Sequence, residues 1–272
     1  MRYCIFDPSG NITALVESHV PAEERKIAAD EIMAAHPEVE QVGFVRFPED
    51  GLIDAELQMA GGEFCGNASL CTAALFDLRN TRKSTDDFRH LRLKVSGADQ
   101  PVDGWIKKVD RERYTGTIQM PPSLGITEIE FLFDNAAGIL PVVRMQGISH
   151  IIIQPDSPFW HLCEDRKAAE KAVAEWCGVL RTDGLGLMFL KGSGPDYDLI
   201  PLVYIPGSGT IFWENSCGSG SSAVGIYLSA IYNRELSAAL HQPGGILAVK
   251  SDPETGTTAL TGNVVLISNM EM

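Results

Sequence analysis

The chain has 272 residues, 44% of them hydrophobic, and a formal net charge of −14. The length fits one or two domains with real cores, and the acidic balance argues against nucleic acid and anionic membrane surfaces as partners. No apolar run reaches the ~20 residues of a membrane span, and the start MRYCIFDPSGN lacks a signal-peptide pattern, so a cytoplasmic protein with reduced thiols is expected.

Tyr3–Phe6 and Ile12–Glu17 read as strands around the turn Asp7-Pro8-Ser9-Gly10-Asn11. Pro21 opens a helix to about Ala35, with Ala28, Ile32 and Ala35 inward. Gln41–Phe47 and Ile53–Met59 are predicted strands joined at Pro48–Gly51. Glu63–Leu75, EFCGNASLCTAAL, places Cys65 and Gly66 in a turn before a helix with Cys71, Ala74, Leu75 and Leu78 on one stripe. Thr81–His90 is charged and reads as a solvated loop. Leu91–Ser96, Val102–Val109 and Tyr114–Met120 are further strands.

Pro121-Pro122 marks the candidate boundary, because two prolines block both helix and central strand. The expected lobes are 1–121, with the last strand 263–272 returning to it, and 122–262, with the site in the cleft between them. Ile139–Gln146 and Ser149–Gln154 restart the strands. Asp165–Cys177 reads as a helix with Gly178 as its stop. Gly186–Leu190, Asp198–Ile205 and Thr210–Trp213 are strands leading to WENSCGSGSSAVGIY, where Cys217 precedes a helix with Ala223, Ile226, Tyr227, Ala230 and Ile231 on one stripe. Ile246–Ser251, Thr257–Thr261 and Asn263–Ser268 close the chain as strands. Strongly apolar helices among strands suggest curled sheets wrapped around them. The expected fold is α+β with an internal duplication, in which each half carries a thiol at a helix start.

A helix start is rich in unpaired N–H groups and positive in potential, so it favours a thiolate and binds a carboxylate. Two thiols on opposite faces of one carbon can invert it, one as base and the other as acid. The N–H groups would stabilise the carbanion of an amino acid without a cofactor. Cys4, Cys71, Cys163 and Cys177 read instead as small buried hydrophobes, and six cysteines in so long a chain make no disulfide framework. His161-x-Cys163 is too sparse for a metal site, and the glycine turns lack a Lys-Ser/Thr pair for a P-loop. His19, His36, His90 and His241 read as surface or structural. His150 opens the apolar run ISHIII, and Glu63 and Glu214 stand just before the paired cysteines, which makes all three site candidates. Asn11 on its own reads as a turn residue.

Ser9-Gly10-Asn11, Cys65-Gly66-Asn67, Cys217-Gly218-Ser219-Gly220 and Gln242-Pro243-Gly244-Gly245 resemble the diaminopimelate epimerase superfamily over essentially the whole chain. That resemblance implies two pseudo-symmetric barrel-like lobes, each around a central helix, and cofactor-independent, PLP-free inversion in a homodimer acting on a small amino acid. The chain departs from true diaminopimelate epimerases. It has Met59-Ala60-Gly61-Gly62, Ile148-Ser149-His150 and an Arg-free Pro206–Gly209 where they carry the groups that grip the distal end of the substrate. The strings around Cys65 and Cys217 are similar to the histidine racemase branch, which serves staphylopine-type metallophores. By that resemblance Cys65 and Cys217 are the acid/base pair. Asn11, Gln41, Gly66, Asn67, Gly218 and Ser219 would hold the α-amino acid group, and Glu63 or Glu214 would meet the ammonium or the imidazole. The alternatives are a diaminopimelate epimerase or another isomerase of the superfamily, or a non-catalytic amino-acid-binding or thiol-redox protein.

Overall fold

The computed structural model describes every residue except 50, 81–86, 208 and 272. In chain order its elements are β1 Arg2–Asp7, β2 Thr13–Val16, α1 Arg25–Ala35, β3 Gln41–Arg46, β4 Ala55–Met59, α2 Gly66–Arg79, β5 Arg89–Val95, β6 Val102–Lys108 and β7 Arg113–Met120. They continue as β8 Gly125–Phe133, β9 Ala136–Met145, β10 Ile148–Ile153, α3 Arg166–Leu180, β11 Leu185–Ser193, β12 Asp196–Ile205, β13 Thr210–Trp213, α4 Gly218–Tyr232, β14 Leu236–Gln242, β15 Gly245–Asp252 and β16 Thr257–Glu271. The chain divides into two units, Met1–Met120 with Ala259–Met272, and Pro121–Thr258.

In the first unit β1 to β7 neighbour one another in sequence order, β16 follows β7, and β16 also pairs with β1. The ring of eight strands is therefore closed, which leaves no exposed edge. Two pairs run parallel: β2 with β3, joined through α1, and β4 with β5, joined through α2. Helix α1 packs against β3 with Ala28, Ala29 and Ile32 buried. Helix α2 is different. Every residue from Gly66 to Leu75 is buried, and the helix touches β1, β2, β4, β5, β6 and β7. It fills the barrel, as a helix apolar on all sides must.

The second unit repeats the order. Its strands neighbour as β8-β9-β10-β11-β12-β14-β15, with β13 paired to β12. The parallel pairs are β10 with β11, joined through α3, and β12 with β14, joined through β13 and α4. Helix α3 buries Ala169, Ala172, Val173, Trp176 and Cys177 against β11 and β12. Helix α4 touches β9, β10, β11, β14 and β15, and it is buried from Gly220 to Gly225.

Small residues let the two central helices fit. A Cβ at Gly225 would stand 2.5 Å from Val249 Cγ2, so the β15 side chain occupies the space a larger residue would need. Buried hydroxyls return to the helix itself. Ser69 and Ser221 donate to the carbonyls of Cys65 and Cys217, both at 2.7 Å, and Thr72 and Ser222 to those of Ala68 and Gly218. These four hydroxyls are thus satisfied without water.

Several expectations change. The stripes assigned to the central helices are wrong at their ends: Ala230 and Ile231 are exposed, and Leu78 is only half-buried. Burial there follows depth along the helix axis, with the first turns enclosed on all sides. Ala35 is exposed for the simpler reason that α1 ends there. Gly178 does not stop α3. The helix runs to Leu180 and ends at Arg181 in the left-handed conformation, φ 53°. Strands β8 and β14 were missed. Both alternate, burying Phe131 and Phe133 in β8 and Leu236, Ala238 and Leu240 in β14. Strand β16 is continuous through Gly262, where a break was expected. The loop expected at 81–90 lies partly outside the described residues, and its last two positions, Arg89 and His90, belong to β5.

Candidate active site

Cys65 caps α2. Its backbone is extended, φ −129° and ψ 114°, and its sulfur accepts from Ala68 N–H at 3.3 Å. Beyond the cap the first N–H groups are those of Gly66 and Asn67, positions at which a helix offers donors without intrahelical acceptors. The preceding loop is held from β5. Ser96 Oγ accepts from Met59 N–H at 2.9 Å and donates to the Glu63 carbonyl at 2.8 Å. Gly97, at φ 73°, lies so close that any Cβ would run into the Glu63–Phe64 backbone. Glu63 itself is exposed.

The thiol of Cys65 is half-buried and lies 3.2 Å from Gln41 Oε1, at the start of β3. Gln41 Nε2 donates to Asn11 Oδ1 and, at 2.9 Å, to Thr13 Oγ1. Asn11 is buried and donates to Glu40 Oε2 at 3.3 Å. It follows Ser9 and Gly10, both in the left-handed region at φ 67° and 102°, so the turn aims its side chain inward. Gln41 thus reaches Cys65 with Asn11 bonded behind it, and Asn11 is more than the turn residue its local sequence suggests. Thr13 was missed, since nothing local marks it.

Cys217 caps α4 in nearly the same way. Its backbone is at φ −115° and ψ 107°, and its sulfur accepts from Gly220 N–H at 3.3 Å. The chain reaches it through β13 and Glu214, whose N–H donates to the Pro201 carbonyl at 3.0 Å. The Cys217 N–H donates to Gln242 Oε1 at 2.8 Å, and Gln242 Nε2 donates to Ser221 Oγ at 3.0 Å. Gly244 N–H holds the Asn215 carbonyl at 2.8 Å. The Gln242–Gly245 turn is therefore a clamp on the Cys217 loop. Gln242 was seen only as part of a motif. The shared pattern Cys-Gly-x-x-Ser, at Cys65–Ser69 and Cys217–Ser221, could have marked the two serines in advance.

Cys217 is buried. Burial pushes its thiol well above the ordinary cysteine range, and the Glu214 carboxylate adds to this as charge and as hydrogen-bond acceptor. Ser219 and the Gly220 N–H act the other way. Ser219 Oγ is 3.6 Å from the sulfur and 3.1 Å from Nε2 of His150. His150 is fully buried on β10, and burial lowers its pKa to about 3, so it is a neutral imidazole. It stands opposite Gly186 on β11, where a Cβ would strike the ring. In this unit the structure brings together Cys217, Gly218, Ser219, Glu214 and His150. In the first it brings together Cys65, Gly66, Asn67, Asn11 and Gln41.

The other cysteines are elsewhere. Cys71 is buried inside α2, its thiol pushed well up by burial first and then by Cys65. Cys4 lies between Asn269 and Arg79, each at 3.3 Å, and Cys177 donates to the Thr182 carbonyl. Among the described residues no three His, Cys, Asp or Glu side chains come together as a metal cage. No helix among those residues is long and apolar enough to cross a membrane.

Two units of strands in the same order, each around an enclosed helix, form a fold that recurs in solved structures described as epimerases and racemases. The chain superposes on a predicted epimerase from Pseudomonas aeruginosa with a TM-score of 0.69 at 15% identity, covering 100% of this chain and 98% of that one. It superposes on a probable proline racemase from Agrobacterium radiobacter with a TM-score of 0.67 at 13% identity, covering 100% and 92%. Sequence carries the assignment further. Residues 1–269 match the model of the histidine racemase CntK N-terminal domain. A histidine racemase of Staphylococcus aureus is 32% identical over 259 residues, 92% of this chain and 88% of that protein. The chain belongs to the histidine racemase family.

Proposed function

We propose that the protein interconverts L- and D-histidine without pyridoxal phosphate, with Cys65 and Cys217 as acid and base on opposite faces of the α-carbon. The observation that carries this reading is the repeated cap: in each unit a cysteine sulfur sits at a helix start on an N–H at 3.3 Å, four residues before a serine bonded to its carbonyl. Family membership supplies the substrate.

In the forward step the thiolate of one cysteine takes the α-proton, and the electron pair of the broken C–H bond moves into the carboxylate as an enolate. The thiol of the other then delivers its proton to the opposite face. The α-proton is weakly acidic, so the enolate must be stabilised electrostatically. The N–H groups of Gly66, Asn67, Gly218 and Ser219 at the two helix starts would supply this, and one such donor is worth about 3 kcal/mol in another enzyme. On the Cys217 side, Glu214 is the acceptor for the thiol proton and His150, through Ser219, orients the hydroxyl at the sulfur. Asn11 and Gln41 belong to the Cys65 side, and Glu63 or Glu214 would meet the ammonium or the imidazole. We place the enzyme in the cytoplasm as a homodimer, serving a metallophore route that consumes D-histidine.

The test is chiral chromatography of purified protein with each common amino acid and diaminopimelate, in buffer free of pyridoxal phosphate. Conversion of histidine above all others is expected. Preferential epimerisation of diaminopimelate would transfer the chain to the parent activity. No conversion of any substrate, with calorimetric binding retained, would make it a binding protein.

A further inference from the structure

The side chains behind Cys65 form a chain of hydrogen bonds whose direction is set at its far end. Glu40, as a carboxylate, only accepts. It accepts a hydrogen bond from Asn11 Nδ2 at 3.3 Å and so fixes which way the Asn11 amide points. Asn11 Oδ1 then faces Gln41 and takes its Nε2. Thr13 makes the same choice independently. Its hydroxyl proton goes to the Asn11 carbonyl at 2.9 Å, so its oxygen is left to accept from Gln41 Nε2, also at 2.9 Å. Two acceptors therefore hold the amide nitrogen of Gln41, and the amide cannot turn over without losing both. Its carbonyl oxygen is what remains for Cys65, 3.2 Å from the sulfur. A carbonyl oxygen bonds a protonated thiol and repels a thiolate, and a hydrogen bond made only by the neutral form favours that form.

We propose that Gln41 is a positioning residue that holds Cys65 as the thiol in the ligand-free protein, with Glu40 setting the polarity of the chain. Ionisation of Cys65 in turnover then requires the Gln41 bond to break or reverse. The Ala68 N–H, 3.3 Å from the sulfur, acts the other way. In the second unit the acceptor at the sulfur is the Glu214 carboxylate, and Gln242 accepts from the backbone N–H of Cys217.

The consequence for catalysis rests on the acid/base reading of Cys65 given above, but the test does not. The rate of iodoacetamide labelling at Cys65, followed against pH by peptide mass spectrometry, reports the thiolate without turnover. In Gln41→Ala the midpoint is expected to fall by about one pH unit, a tenfold gain in thiolate below it. Glu40→Gln changes an exposed residue and frees the polarity of the chain, so it should move the midpoint the same way by less. Glu38→Gln removes an exposed charge off the chain and should leave the midpoint in place. An unchanged or higher midpoint in Gln41→Ala would overturn the proposal. So would equal shifts in Glu40→Gln and Glu38→Gln, which would reduce Glu40 to a simple charge. If the shifts appear but histidine is not racemised, the functional reading fails and the wiring stands.

Discussion

His150 Nε2 lies 3.1 Å from Ser219 Oγ, and that contact ties a buried neutral imidazole to the helix start of Cys217. The histidine pKa is lowered in the folded state, to about 3 from 6.5, by burial. Such a group contributes stability that is fully present above pH 6.5 and is lost as pH falls towards 3, because the unfolded chain binds the proton first. His150→Gln removes this dependence and keeps a donor for Ser219. Between pH 6.5 and 4 the wild type should lose stability faster than the variant, by up to about 1.4 kcal/mol per pH unit. Urea unfolding of both proteins at several pH values measures it, and parallel curves would refute the buried-neutral assignment.

Gly186 leaves the room that His150 occupies. A Cβ there would strike the ring, and it would stand 2.7 Å from Met188 Cε. Overfilling of this kind costs roughly 1–3 kcal/mol. Gly186→Ala should show that loss in urea unfolding, together with a lower kcat from the displaced imidazole. A variant as stable and active as the wild type would show that the ring is free to move.

Gln242 takes the Cys217 N–H with one end of its amide and Ser221 Oγ with the other. Gln242→Leu leaves a buried donor unpaired, at a cost of about 1–3 kcal/mol. Activity should fall further than stability, since the cap on α4 holds the reacting sulfur. Equal kcat in the two proteins would show that Ser221 and Gly220 fix the loop without it.

These contacts also show where sequence reading reaches its limit. The cysteine turns are legible because Cys-Gly, small residues and an apolar helix follow one another locally, and they occur twice. Gln242 and Thr13 are not legible, because each acts on a cysteine more than twenty residues away and only the folded strands bring them together. Periodicity failed for α4. A helix enclosed by strands has no single apolar face, and its exposed tail, Ala230 and Ile231, continues the same pattern. Strand β8 was hidden by its charged outward residues, Glu128 and Glu130, directly after two prolines.

Glu214 separates two roles by kinetics. If it accepts the Cys217 proton, Glu214→Gln should lower kcat by roughly 10²–10⁴ and leave KM near its wild-type value. If it grips the substrate ammonium or imidazole instead, KM should rise with kcat less affected. Steady-state kinetics with histidine over both directions distinguishes the two.

The most direct test of the two-thiol account is proton NMR of L-histidine turned over in deuterium oxide, read at early times. With separate acid and base on opposite faces, deuterium enters the D-histidine that forms while the remaining L-histidine keeps its protium, and Cys65→Ser or Cys217→Ser ends conversion. Equal early labelling of both enantiomers would mean that one group serves both faces, and the paired caps would then not be the catalytic machinery.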